Sequence, residues 1–462
     1  MQSKFGLSLF IFLFTLSTTM TMVLFFHKPP YIPLFISYLF AFFVLLKHFS
    51  FKELANMSIK GVKRGINVMI ILLLIGALVA LWKQNGTLPA LIYYSSKFLK
   101  PRGFLLTSFT ITSLISMILG TAVGTASTIG IVITGLGHAF GYPLPVVAGT
   151  VISGSFIGDR TSPLAGNVAL LSDMSEIQQT NVLKSLFRTA IPVFIITAFL
   201  YHLLDLHLKL STQQNINNLS AIIINSYHLN PILFLSPLII ILLAFFRVPT
   251  KINLSIAVLI SFLTSIILGY SPLDSAKVIF TGNTFTATEF KSIFNGGGMF
   301  SILPMIGVVT FATALAGILE DTGIIKAIFQ NIDKIKNFKL TYLVTMFLST
   351  LMAIITCNQA LSVILPSRIM INVYRKLQIP KEEMVRAIAD SGMILAGIIP
   401  WNLAAMLPAS VLGVKVTEYL PYAYLNLLFP LLSIAFIFAK DIKELIKFYQ
   451  KIIEKSKNLL QN

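Results

Sequence analysis

The sequence predicts an all-α polytopic membrane protein of about 10–12 transmembrane helices. Three observations carry this: apolar composition, spacing of apolar runs, and basic residues confined to short loops. Of 462 residues, 56% are hydrophobic and 11% charged, with mean hydropathy +0.84. Soluble domains carry about a quarter charged residues, so lipid is the implied solvent. Ile66–Trp82 holds a single polar residue, Asn67, and comparable runs cover Gly6–Phe26, Pro231–Phe246 and Tyr422–Ala439. Each approaches the roughly 20 apolar residues that a spanning helix needs.

The net charge of +18 could suit nucleic acid, but its placement argues against that partner. Basic residues gather at Lys47–Arg64, at Lys334, Lys336 and Lys339, at Arg375, Lys376, Lys381 and Arg386, and in the tail from Lys440 to Lys457. Loops around Gly141, Ser172–Gln179, Ser211–Asn218 and Gly413–Glu418 are nearly free of positive charge. That asymmetry places the basic loops and the C-terminus in the cytoplasm of a cell-membrane protein, with the lipid bilayer as its surroundings. The run Phe5–Phe26 is too long for a signal-peptide core and reads as a retained first span. One cysteine, Cys357, excludes an intrachain disulfide and a cysteine metal cluster. No P-loop, dinucleotide fingerprint or His-Glu-x-x-His motif occurs, and the six histidines have no ligand spacing except the loose pair His202/His207, so neither an enzyme nor a cofactor is expected.

Four regions follow. An N-terminal half covers 1–210, a polar connector 211–230, a C-terminal half 231–439 and a basic tail 440–462. Each half contains an apolar stretch broken by Gly, Pro, Ser and Thr, at 120–171 and 356–412. Pro143 and Pro163 recur as Pro380 and Pro400 at a common offset of 237 (380 − 143 and 400 − 163), with Ser153-Gly154 and Ser391-Gly392 between them. The two regions read as copies of each other, although two prolines at one offset also fit chance, and broken segments at matching places in two halves point to a secondary transporter's binding site.

Most of the 17 carboxylates fall in loops or tails, Asp205 among them. Asp159 and Asp390 stand in apolar sequence, where an unpaired charge costs several kcal/mol and persists chiefly for function. Both are read as cation/proton-coupling groups. The plainer alternatives are an ion pair of Asp159 with Arg160, and a pair or cap involving Asp390 and Arg386 one turn back. Arg160 and Arg368 are the structural ion-pair candidates. Thr121, Thr125, Ser127, Thr128, Ser162, Asn167, Asn358, Gln359, Ser362 and Asn402 offer the neutral oxygens that alkali cations accept. For any single one of them, ordinary packing competes with that role.

Several of these stretches resemble the NhaC family of sodium/proton antiporters. Gly76–Trp82 with Gly86-Thr87-Leu88-Pro89, Gly120–Gly130, and Gly158-Asp159-Arg160-Thr161-Ser162-Pro163-Leu164 are similar to its first-half motifs. Asn358-Gln359-x-Leu361-Ser362, Leu365-Pro366-x-Arg368, Asp390-Ser391-Gly392, Ile399-Pro400-Trp401-Asn402 and Glu418–Ala423 are similar to its second-half motifs, in family order. The resemblance implies exchange of Na+ for H+ by two inverted repeats with re-entrant hairpins, often in a homodimer. One departure stands out. After Ser-Pro-Leu the family commonly has Ser-Asp-Thr-Thr-Asn, whereas this chain has Ala165-Gly166-Asn167-Val168-Ala169. The loss implies weaker sodium binding or another substrate, with Asn167 in contact with it. The alternative substrate is a small organic acid or amino acid, carried by coupling to Na+ or H+; a channel suits broken repeats less well.

Overall fold

The computed structural model describes residues 2–26, 28–97, 102–208, 221–246, 248–284, 295–323 and 337–438. Most of the connector, 211–220, the basic tail 440–462 and Lys334 and Lys336 lie outside the described residues. The described residues form an all-helical architecture, in which backbone polar groups are satisfied within each helix where no water is present.

Along the first half run α1 (Gln2–Met20), α2 (Tyr31–Leu45), α3 (Phe51–Gln84), α4 (Thr87–Ser96), α5 (Phe104–Leu119), α6 (Ala122–Gly137), α7 (Leu144–Thr161), α8 (Gly166–Ser175) and α9 (Gln179–His207). The second half has α10 (Leu235–Phe245), α11 (Thr250–Ile267), α12 (Pro272–Thr281), α13 (Leu303–Asp321), α14 (Phe338–Thr356), α15 (Gln359–Lys376), α16 (Lys381–Ile398), α17 (Leu403–Leu412), α18 (Val416–Tyr422) and α19 (Tyr424–Phe438). Among the described residues, five helices have the length and hydropathy to span a bilayer alone, and two bent pairs, α16/α17 at 43° and α18/α19 at 55°, do so together. Five shorter apolar helices, α5 and α6 among them, complete the set. On α9 the exposed residues Ile191, Ile195 and Phe199 recur every fourth position, forming an apolar stripe on the outer face.

The interior has two parts. On one side α3 packs against α11 and α13, with the Trp82 indole N–H shared between Ser236 and Ser261. On the other side α5–α9 and α14–α19 enclose the helix breaks. Local sequence explains these breaks. Gly120 takes a left-handed conformation at φ 67° and Thr121 is extended before α6; Cys357 takes the same conformation at φ 54° and Asn358 is extended before α15. Pro163 and Pro400 lack an N–H and push the preceding residue out of the helical region, so α7 ends at an extended Ser162 and α16 at an extended Ile399. Pro143 and Pro380 open α7 and α16 with nearly identical dihedrals. The offset of 237 read from the prolines therefore also relates Gly120 to Cys357 and Thr121 to Asn358 (357 − 120 and 358 − 121).

One expectation is corrected. The charge-poor loop Ser172–Gln179 is not across the membrane from the basic loops. Glu176 binds both Arg375 and Lys381, which sets it on the face of the α15–α16 turn. An acidic residue neutralised by a neighbouring loop needs no basic residue of its own. A lysine count over so short a segment cannot register that contact.

Candidate functional site

Asp159 lies on the last turn of α7, and the breaks deliver its surroundings. Its Oδ2 accepts 2.9 Å hydrogen bonds from Asn167 Nδ2 on α8 and from Gln359 Nε2, the first residue of α15. The backbone N–H of Ala122, the first residue of α6, also faces the carboxylate. Helix N-termini carry unsatisfied N–H groups and a partial positive charge. Two of them converging on one buried carboxylate satisfy its oxygens when it is ionised. Gln359 is anchored in turn to the Met393 carbonyl at the end of the irregular turn of α16, so both halves of the chain meet here.

Asp390 occupies a different environment. Fully buried on α16, it pairs with Arg160 and accepts from Ser433 at 2.8 Å and Thr189 at 3.2 Å. Arg160 also reaches the Leu186 carbonyl and Thr189, and its guanidinium lies 4.1 Å from the centre of the Phe429 ring. The two local pairings weighed from sequence are not formed: Arg160 turns from its neighbour Asp159 to Asp390, and Arg386 pairs with Glu383. The Arg160–Asp390 pair instead ties α7 to α16, with every charged atom out of water. Arg368 is exposed, with no ion pair among the described residues. Asp205, placed among the loop carboxylates, is a further correction. It is buried, accepting from the backbone N–H groups of Leu105 and Leu106 and from the Tyr142 hydroxyl, and so caps α5.

The ten neutral candidates divide by what their side chains already bind. Thr121, Asn358 and Asn402 cap α6, α15 and α17, and Asn402 also donates to the Ala353 carbonyl. Thr125, Thr128 and Ser362 donate to backbone carbonyls one turn back, while Ser162 bridges the Met117 carbonyl and the Leu164 N–H. Asn167 and Gln359 are on Asp159. Ser127 is buried with an unpartnered hydroxyl. Ser433 and Thr189 were not legible as partners of Asp390, because neither belongs to a motif and each meets it only through the packing of separate helices.

Glycine permits the close packing around both carboxylates. A Cβ on Gly158 would fall 1.9 Å from the Ser116 carbonyl oxygen, and one on Gly392 would fall 2.0 Å from that of Ser349. In each half a serine backbone thus presses on the carboxylate-bearing helix, one or two residues from the carboxylate.

A buried carboxylate where two interrupted helices meet inside an apolar bundle is the construction of an ion-coupled secondary transporter. The chain belongs to the Na+/H+ antiporter family, whose model matches residues 3–179 and 156–440. It is similar to the Na(+)/H(+) antiporter NhaC of Bacillus subtilis, at 30% identity over 94% of this chain and 98% of that protein. It is also similar to the malate-2H(+)/Na(+)-lactate antiporter of the same organism, at 29% identity over 89% of each chain. A third relative is the arginine/ornithine antiporter ArcD of Halobacterium salinarum, at 28% identity over 84% of this chain and 81% of that one. The protein is accordingly a multi-pass membrane transporter rather than an enzyme.

Proposed function

We propose that this antiporter exports sodium in exchange for protons across the cell membrane, with Asp159 carrying either ion in turn. The observation that supports this most is the pair of carboxamides on its Oδ2. An amide presents NH2 on one side and a carbonyl oxygen on the other. With the carboxylate empty of cation, Asn167 and Gln359 donate to it; with a cation bound, a turn of each amide presents oxygen to the metal. Proton and cation then compete for one carboxylate, and that competition couples the two fluxes. Asp390 serves a different end in this reading: it neutralises Arg160 and fixes α16 against α7.

Inverted repeats belong to the same reading, supported by the shared break geometry at offset 237 and by which loops meet. The turn after α8 joins the turn before α16 through Glu176. The turn after α17 and the start of α7 share the walls of one cavity, where Leu144 faces Gly413 and Lys415. A homodimer with a cytoplasmic C-terminus completes the proposal.

A second reading, exchange of a small organic acid or amino acid, draws support from the malate/lactate and arginine/ornithine relatives and from the small side chains at Ala165–Ala169. Everted vesicles with an imposed pH gradient separate the two. Addition of Na+ or Li+ should collapse the gradient in the first reading. A response confined to malate, lactate or arginine would replace it with the second.

A further inference from the structure

Beside the Asp159 junction lies a cavity of 270 Å3 between the α5–α6 break and the turn joining α10 to α11. Thr121, Ser127 and Gly166 form one wall, and Val248, Thr250 and Asn253 the other. Two buried groups on its walls have unsatisfied oxygens: the Ser127 hydroxyl, and Asn253 Oδ1, whose amide nitrogen is used on the Ile240 carbonyl. A buried polar group without a partner costs free energy; both oxygens are closed off from the cavity as they stand, and a side-chain rotation of either residue would bring its oxygen to a ligand held there. Neither group belongs to the carboxylate's own hydrogen-bond set.

We infer that this cavity is a vestibule in which a hydrated monovalent cation exchanges part of its water for Ser127 and Asn253 before reaching Asp159. This rests on the cation-exchange reading above. The chemistry selects the ligand. Both orphan groups offer oxygen, one of them a carbonyl-type acceptor, which suits a hard cation. No described residue on the walls carries a charge, so an organic carboxylate would find no counter-ion there. The size agrees as well. At about 30 Å3 per water, the cavity admits a small cation with its first shell, far more than a bare ion needs. A serine hydroxyl turns into the cavity by one χ1 rotation between staggered wells. Arg247 and Lys251 flank the α10–α11 turn in sequence, which marks it as cytoplasmic by the positive-inside rule. An exported cation enters from that side.

Ser127→Ala is the informative variant, because it removes a hydroxyl that makes no bond in the folded protein and so cannot unfold it by breaking one. Asn253→Ala is the second, with folded yield measured alongside, since it also releases the Ile240 carbonyl. In everted vesicles, where the cytoplasmic face is outside, each should raise the apparent KM for Na+ by about three- to tenfold, the span expected for one neutral ligand. Maximal rate and pH profile should stay at wild-type values. If wild type responds to Na+ and both variants keep its KM within about twofold, the vestibule is wrong and the exchange reading stands. If wild type does not respond to Na+, both fall together. A KM shift confined to an organic substrate also overturns the vestibule.

Discussion

Arg160 and Asp390 are opposite charges buried side by side, and their pairing makes an uneven prediction. Removing one partner from a buried pair typically costs about 3–5 kcal/mol, because the other charge is left stranded. Replacing both removes the charges together and costs far less. Asp390→Asn should therefore lower the folded yield and melting temperature in detergent, and Arg160→Gln with Asp390→Asn should recover most of the loss. Failure of the double variant to recover would indicate that Asp390 acts through something other than Arg160. The carboxylates themselves were legible, since a charge in apolar sequence has few innocent explanations. Their partners were not. Sequence offers the neighbour or the residue one turn away, whereas Arg160 finds Asp390 across 230 positions and Asp159 is bound by amides from two other helices.

Among the elements, the two serine–glycine crossings set how closely α7 approaches α5 and α16 approaches α14. A methyl group at Gly158 or Gly392 would overlap a backbone carbonyl that has no flexible end to move. Gly158→Ala and Gly392→Ala should each reduce folded, membrane-inserted protein severely. Gly166→Ala, whose Cβ would have nothing within 4 Å, should fold normally. Folded yield by size-exclusion chromatography checks all three; normal yield from Gly158→Ala would mean that the crossing is looser than described. The breaks were readable in advance because proline and glycine act locally. The crossings were not, since they depend on two chain positions meeting. Ser116 lies one turn before its break and Ser349 two turns before its own, so no common offset relates them.

At the scale of the molecule, the Glu176 cluster decides which loops share a face. Hydrogen bonds from Lys381 and Arg375 hold the exposed Glu176 carboxyl at about 2, below its ordinary 4.5. A depressed value means that the contact is complete above pH 4.5 and is lost only as pH falls through about 2. It therefore stays intact wherever the transporter works and plays no part in its pH response. Cysteines introduced at Glu176 and Lys60 should resist an impermeant thiol reagent added outside intact cells, while one at Lys415 should react. The native Cys357 is fully buried and should give little background. Labelling of Glu176→Cys from outside would reverse the assigned face. Composition, the spacing of apolar runs and the placement of basic residues were enough to read the membrane class, but which charge-poor loop faces which side depends on contacts between loops.

The central claim is that Asp159 is the group shared by proton and cation, while Asp390 is held in a structural pair. Sodium-driven proton flux in everted vesicles, normalised to folded protein, tests it in Asp159→Asn. The amide keeps the size of the carboxylate and can still hydrogen-bond to Asn167 and Gln359, but it neither releases a proton nor carries charge to a cation. Flux should fall to the background of empty vesicles at every pH and sodium concentration, with folded yield near that of wild type. Retention of wild-type flux with an unchanged pH profile would contradict the claim and move the coupling group elsewhere in the molecule.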